Sequence, residues 1–349
     1  MPRVWDVPVH DSTRVRDARV AAEQAAALAG LDAEHAAAAS LVSTELATNL
    51  VKHARGGQLL VELVPPAVPA DAAVPARLVQ IAAVDHGPGI ADVGAALSDG
   101  FSTARSLGAG LGTCRRVADD FALHSVPGRG TVALARIGAG ARTGGAARVR
   151  AGGLNVPFER ADHSGDAWTW VRAADRATLM LADGLGHGPE AARASSAAVE
   201  ALHRTAHLSP GECLRHIDTA LRGTRGAAVA VAQVDTAAGT LRFAGVGNIG
   251  ARLREGDRWR SLLSHPGIVG VHRPRTLRED RMPWAADRML IMHTDGLPSR
   301  WIPPAEPGLL SADPAVVAAG VIRDAGSAAR PVRDDTAVAV VTPTPPEHP

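Results

Sequence analysis

Cysteine is almost absent from this 349-residue chain: Cys114 and Cys213 are its two thiols, about a hundred positions apart. Solitary cysteines at that separation read as free thiols in a reducing cytoplasm rather than as a disulfide staple. An excess of charge of one sign is also missing. Lys and Arg total 37 against 36 for Asp and Glu, a formal net charge of +1. Without a long Lys/Arg block, the electrostatic footprint of a nucleic-acid binder is excluded. No apolar run approaches the roughly 20 residues needed to cross a bilayer. The opening stretch MPRVWDVPVHDSTR has no apolar core of a secretory signal. The expectation is a soluble, cytoplasmic protein with neither nucleic acid nor membrane as partner. What is present is 46% hydrophobic and 21% charged residues, enough to build a core in each of two domains, the natural division at this length.

The first half alternates helices with strands. Val4–Val9 reads as a strand, and Ser12 or Thr13 is a plausible cap for a helix ending at Gly30. Asp32 can cap a second helix that runs through TELATNLVKH (Thr44–His53). There Leu46 and Leu50 share one side, while Glu45, Asn49 and His53 recur at i, i+4, i+8 along another. Gly56–Gly57 closes the helix, and Leu59–Val64 and Leu78–Val84 read as strands around an exposed Pro/Ala-rich loop, Pro65–Pro75. A turn at Gly128–Gly130 leads into a last strand, Thr131–Ile137. This is an α+β pattern, with helices segregated from a mixed or antiparallel sheet.

The chemistry sits in the connections. Asp85 leaves its strand into Gly87, Pro88 and Gly89 (VDHGPGI), where a carboxylate can accept from the exocyclic amine of adenine and glycines allow close approach to a flat ring. Gly108, Gly110 and Gly112 precede a helical-looking Thr113–Asp120, placing free backbone N–H groups where phosphates bind. A Glu/Asn helix, a strand-DxGxG, a GxGxG-helix and a closing GxGT in that order resemble the ATP-binding fold of DNA gyrase, Hsp90, histidine kinases and MutL. Within it, residues 1–137 are most similar to the bacterial anti-sigma serine kinases of the stressosome switch (RsbT-like) type. The resemblance implies that Asn49 ligates Mg²⁺ and that Glu45 is the base or orients the acceptor. It further implies that Asp85, Gly87 and Gly89 hold adenine, that Gly108, Gly110 and Gly112 form the phosphate lid, and that Thr131 lies near the adenine end. Lys52 and His53 would help neutralise phosphate.

Residues 138–153, rich in Gly, Ala and Arg, read as a linker, and 343–349 as a Pro-rich tail. Between them, strands are expected at Trp168–Arg172, Thr178–Ala182, Ala227–Asp235, Thr240–Val246 and Met289–Thr294, with helices over Pro189–His207 and Pro210–Arg222, an α/β sandwich. Two strands end alike, in TLMLADG at Asp183–Gly184 and in MLIMHTDG at Asp295–Gly296; Asp166 and Asp334–Asp335 flank others. Singly, Asp at a strand end is turn chemistry. Gathered, like charges about 4 Å apart repel by roughly 4 kcal/mol at an effective dielectric near 20, so a cluster implies bound hard cations, Mg²⁺ and/or Mn²⁺.

The stretches DGLGHGPEAA, AGVGNIGARL, TDGLPSRW and DDTAVAVV make residues 154–342 resemble the metal-dependent Ser/Thr phosphatases of the type 2C superfamily, in the SpoIIE/RsbX-like branch. The resemblance implies that Asp183 bridges two metals with the Gly184 carbonyl assisting, that Asp166 joins the first metal, and that Asp295 and Asp334 join the second. His187 and Asn248 fall in family motifs as substrate or positioning residues. Thr336 stands one place earlier than the family's usual Thr, leaving Ala337 there, and Pro298–Ser299–Arg300 replaces the Glu that larger relatives carry. The combined expectation is a partner-switching stress-response regulator. It would phosphorylate a Ser/Thr of a STAS-domain antagonist with ATP and remove the same phosphate, with a sigma factor or downstream regulator as further partner. The alternatives are a phosphatase whose first half only senses ATP, and a first half that sequesters a partner without catalysis.

Overall fold

The computed structural model describes residues 3–65, 77–98, 110–138, 148–161, 163–173, 175–326 and 334–344. Gly108, nearly all of the expected 65–75 loop, most of the expected linker and residues 345–349 of the tail lie outside them.

Strand β1 (Val4–Val9) leads into α1 (Arg14–Ala29), which Gly30 ends at φ 70°, its N–H meeting the Ala26 and Ala27 carbonyls; the left-handed turn favours glycine. Helix α2 (Ala33–His53) starts at Asp32, whose carboxylate accepts from the His35 N–H. Alanines of both helices, with Val42, Leu46 and Leu50, bury against one face of an antiparallel sheet ordered β1-β2-β3-β5-β4. Its other strands are β2 (Gly57–Val64), β3 (Leu78–Val84), β4 (Asp120–Val126) and β5 (Gly130–Ile137). Two short helices, α3 (Val93–Ala96) and α4 (Leu111–Val117), lie between β3 and β4. The helix expected over 113–120 is therefore shorter and earlier. Ala118 caps it, and Asp120 begins a strand because 120–126 pairs residue by residue with β5.

The second half is a β-sandwich with a helical layer on each outer face. Strands β6 (Val149–Val156), β7 (Asp166–Ala173) and β8 (Arg176–Gly184) precede α5 (Pro189–Thr205) and α6 (Pro210–Ala220). Then come β9 (Ala227–Asp235), β10 (Thr240–Val246), β11 (Gly250–Glu255), β12 (Arg258–Leu262), β13 (Asp280–Pro283) and β14 (Arg288–His293). Helices α7 (Pro307–Ser311) and α8 (Pro314–Ala325) and strand β15 (Thr336–Pro343) complete it. The two sheets run β13-β10-β9-β8-β7 and β12-β11-β14-β15-β6, and Leu181, Phe243, Leu290 and Val341 are part of the core between them. Helices α5 and α6 cover the first sheet. Helix α8, apolar all round, covers the second and has a further partner on its other side.

That partner is the outer face of the β1–β5 sheet. Leu60, Ala82, Val84, Val132 and Leu134 share one core with α8 and with Leu154, Val338 and Val340. The sheet is thus covered on both faces, and every residue of β3 is buried. A polar row crosses the covered face. Glu62 opposes Gln80, Gln80 opposes Arg136, and Arg136 opposes Asp120. Gln80 donates to Glu62 and to the Gly153 carbonyl, while Arg136 donates to Gln80 and to Asp313, the N-cap of α8. Burial alone would push the Asp313 carboxyl up, but the Arg136 guanidinium outweighs it and holds the group below the usual range. Residues 149–153 of the expected linker are correspondingly part of β6. Their glycines serve close packing rather than freedom. A β-carbon on Gly152 would meet the Ala315 backbone, and one on Gly153 the Trp168 ring.

Glu62 makes this seam pH-sensitive. Burial pushes its carboxyl up to about 8, against hydrogen bonds from Gln80 and Trp168 and the Arg136 charge. The folded protein therefore holds a proton that the unfolded chain releases near 4.5. Its contribution to stability is full below that value and is lost as pH rises through 8. Glu62→Gln is expected to remove that loss, leaving the melting temperature flatter between pH 5 and 8.5 than wild type, as read by thermal denaturation across that range.

Candidate nucleotide and metal sites

The first candidate site lies where β3, α2 and the β4–β5 turn converge. Asp85, 7% exposed, accepts through Oδ1 from the Gly87 N–H at 2.7 Å and the Thr131 N–H at 3.2 Å. Burial raises its carboxyl above the usual value, partly offset by those two donors and by the Arg323 charge. Gly89 (φ 71°) and Gly130 (φ 88°) enforce the fold of this corner: a β-carbon on either would collide with the backbone of Val126 or of Asp85. Thr131 shares a 2.8 Å hydroxyl bond with Ser125, which accepts from the Ile90 N–H. On α2, the Asn49 Nδ2 is buried without a partner among the described residues. Glu45 is close enough to Cys114 on α4 for its charge, after burial, to help push that thiol up to about 12. Gly110 caps α4 and Gly112 is buried within it, while Lys52 and His53 are exposed at the end of α2.

The second candidate site lies at one end of the sandwich. Asp166 and Asp183 stand directly opposite across β7 and β8, a pairing that sets β-carbons about 5 Å apart. Asp166 is 1% exposed; Thr294 donates to its Oδ2 at 2.7 Å, and its Oδ1 is buried without a partner among the described residues. Burial, then the charge of Asp183, raises Asp166 well above the usual carboxylate range. Burial, then Asp295, Asp334 and Asp335, pushes Asp183 up to about 7. Asp295, exposed, accepts from Asn248 Nδ2 at 2.7 Å, and Asp334 is exposed on the same rim. Asp335 turns inward, accepting from the N–H groups of Phe158 and Gly165 at 2.8 Å. Gly184 is required sterically as well, since a β-carbon would collide with the Ala191 carbonyl. His187 is exposed on the loop that follows.

Among the described residues, no three of these groups close tightly enough to surround one ion. The inner pair still fits a divalent cation: a buried and a partly buried carboxylate oppose each other, the buried one with an oxygen that has no partner among the described residues, and hard cations seek such oxygen donors. Sequence reading did not single out Thr294, which orients Asp166, or Asn155, whose amide donates to the Asp166 carbonyl. For Thr294 the signal was its place before Asp295; Asn155 gave none. Removing such a supporting group typically costs 10–100-fold in metal affinity. Thr294→Val is expected to weaken Mn²⁺ binding by that order in a calorimetric titration, with the fold retained.

Comparison with known proteins matches each half to a family. The family model "Histidine kinase-like ATPase domain" covers residues 9–136, and "Stage II sporulation protein E (SpoIIE)" covers residues 173–343. The chain joins a histidine kinase-like ATPase domain to a SpoIIE domain. The chain is 43% identical over 88 residues to the serine/threonine-protein kinase RsbT of Bacillus subtilis, a match covering 25% of this chain and 61% of that protein, so it spans less than two thirds of that relative. A chain described under "The bacterial stressosome: a modular system that has been adapted to control secondary messenger signaling" superposes with a TM-score of 0.50 at 29% identity, over 56% of this chain and 100% of that one. The PP2C phosphatase domain of SpoIIE from Bacillus subtilis, with a fragment of its regulatory domain, aligns at 17% identity with a TM-score of 0.49, over 77% of this chain and 80% of that one. The α+β, two-domain expectation is met. No helix among the described residues is long and apolar enough to cross a membrane.

Proposed function

We propose that this chain is a partner-switching regulator carrying two opposed activities. The ATPase-like half transfers the γ-phosphoryl of ATP to a Ser or Thr of a STAS-domain antagonist, and the SpoIIE half hydrolyses that phosphoserine. The observation that carries the reading is the opposed pair of buried Asp166 and partly buried Asp183 in a chain that also keeps Asn49 and Asp85 at the other site. The serine/threonine-protein kinase RsbT as a relative of part of the chain supports the kinase assignment.

In the first half, Asp85 accepts from the adenine amine beside Gly87 and Gly89. Asn49 ligates the Mg²⁺ of Mg-ATP, Glu45 orients or deprotonates the acceptor hydroxyl, and Lys52 faces the phosphates with the Gly108, Gly110 and Gly112 lid; Thr131 braces the adenine end. Phosphoryl transfer depends mainly on such positioning and charge neutralisation. In the second half, Asp183 and the Gly184 carbonyl would hold both metal ions, Asp166 the first, and Asp295 and Asp334 the second. Bound Mg²⁺ or Mn²⁺ supplies an activated water for attack on the phosphoester. Thr294 fixes Asp166 and Asn248 steadies Asp295, so each carboxylate is aimed before a substrate arrives.

The test uses γ-labelled ATP, Mg²⁺ with Mn²⁺, and a candidate STAS antagonist from the same genome. Label is expected to accumulate on the antagonist far more with Asp183→Asn than with wild type. A second reading, that the first half senses ATP without transfer, is favoured by the docking of α8 directly behind Asp85. It prevails if neither protein labels the antagonist while wild type alone dephosphorylates it.

A further inference from the structure

Helix α8 belongs by sequence to the phosphatase half, yet its last turn is built into the nucleotide half. The final carbonyls of a helix have no partner within it. The Arg323 carbonyl of α8 finds one in His86 Nε2 at 3.0 Å, one residue beyond Asp85. A second link lies alongside. Asp324 accepts from Arg129 at 2.9 Å, and Arg129 sits in the β4–β5 turn whose Val126 carbonyl presses against Gly89. Arg323 itself is 3% exposed, bonded through Nε to Asp324, and its charge bears on both Asp85 and His124. The base-pocket corner is thus clamped to the end of α8 at two points.

The opposite side of α8 rests on β6 and β15. These strands carry the supports of the metal centre. Asn155 of β6 holds the Asp166 carbonyl, the Phe158 N–H just beyond β6 holds Asp335, and β15 begins directly after Asp334 and Asp335. Tightly packed apolar layers transmit displacement rather than absorb it. One face of this helix therefore touches the residues beside the adenine carboxylate, and the other touches the strands that place the phosphatase carboxylates.

We propose that α8 is a strut through which nucleotide binding at Asp85 sets the phosphatase centre, with the His86–Arg323 and Arg129–Asp324 links as its joint. The proposal rests on the nucleotide-binding reading above and adds a regulatory direction to it. ADP, lacking the γ-phosphate, isolates this coupling from phosphoryl transfer. Coupling between sites typically amounts to 5–150-fold.

The test uses the full chain with three readouts: calorimetric binding of Mg-ADP, amide hydrogen exchange over residues 334–338, and Mn²⁺-dependent hydrolysis of p-nitrophenyl phosphate with and without saturating ADP. In wild type, ADP is expected to change hydrolysis by about fivefold or more and to alter exchange at Asp335–Ala337. His86→Phe removes the bond to the Arg323 carbonyl and Arg129→Ala the exposed half of the joint. Both variants are expected to bind ADP yet respond weakly or not at all. If wild type binds ADP without either response, or if both variants respond as wild type does, the strut is overturned. If wild type fails to bind ADP, the nucleotide reading falls and the proposal with it. Should His86→Phe fail to fold, Arg129→Ala decides the matter, because its side chain is half exposed.

Discussion

Asp166→Asn is expected to lower hydrolysis of a phosphoserine peptide by more than about 100-fold, beyond what loss of a group that merely supports a metal ligand costs, while leaving the protein no less stable. The two halves of that expectation share one cause. Asp166, buried, and Asp183, partly buried, face each other across adjacent strands; burial and then the charge of Asp183 raise the Asp166 carboxyl, while burial and then Asp295, Asp334 and Asp335 raise that of Asp183. Like charges about 4 Å apart repel by roughly 4 kcal/mol at an effective dielectric near 20, so the pair is a stability cost in the absence of cations. An amide keeps the shape and can still accept the Thr294 hydroxyl while removing the repulsion. Thermal denaturation in chelator should show a melting temperature equal to or above wild type, and added Mn²⁺ should stabilise wild type more than the variant. A melting temperature that falls together with activity would assign Asp166 to structure instead.

The strand ends that carry chemistry were legible because a strand and its exit are local. β1, β3, β9 and β10 fall at the residues their apolar runs predicted, and Asp85, Asp166 and Asp183 stand at strand ends or exits. What sequence alone did not reveal is what covers the first sheet. Glu62, Gln80 and Arg136 alternate with apolar residues, the ordinary pattern of a sheet with one face in water. In the structure that polar face is roofed by α8 and β6, with its polar groups bonded across the seam. Helix α8 was missed for the complementary reason. PAVVAAGVIRDA has no polar stripe, so it lacks the 3.6-residue alternation by which an amphipathic helix is found. Its signal was the start alone, Asp313 followed by Pro314, which caps and opens the helix. Thr294 acts on a residue 128 positions away, a pairing fixed by sheet-on-sheet packing. Asp334 and Asp335, adjacent in sequence, separate into an exposed carboxylate and one tied to two backbone N–H groups.

Asn49→Ala carries the same opposition of function and stability into the other half. Asn49 lies on α2 four residues after Glu45, with its Nδ2 buried and without a partner among the described residues. An unsatisfied buried donor costs roughly 1–3 kcal/mol, and asparagine is a poorer helix former than alanine. Nothing among the described residues offsets that cost, whereas Mg-ATP would, since the amide oxygen could ligate the ion and the N–H group could donate to a phosphate. Truncation to alanine is therefore expected to raise the melting temperature slightly in the absence of nucleotide. Label transfer from γ-labelled ATP to the antagonist, measured in an Asp183→Asn background so that hydrolysis does not erase it, is expected to drop by on the order of 10²–10³-fold, the loss seen when one preorganised stabilising group is removed from a reacting centre. Unchanged labelling would remove Asn49 from the site. A fall in both labelling and stability would place it in the core, beside Leu46 and Leu50 on the buried side of the same helix.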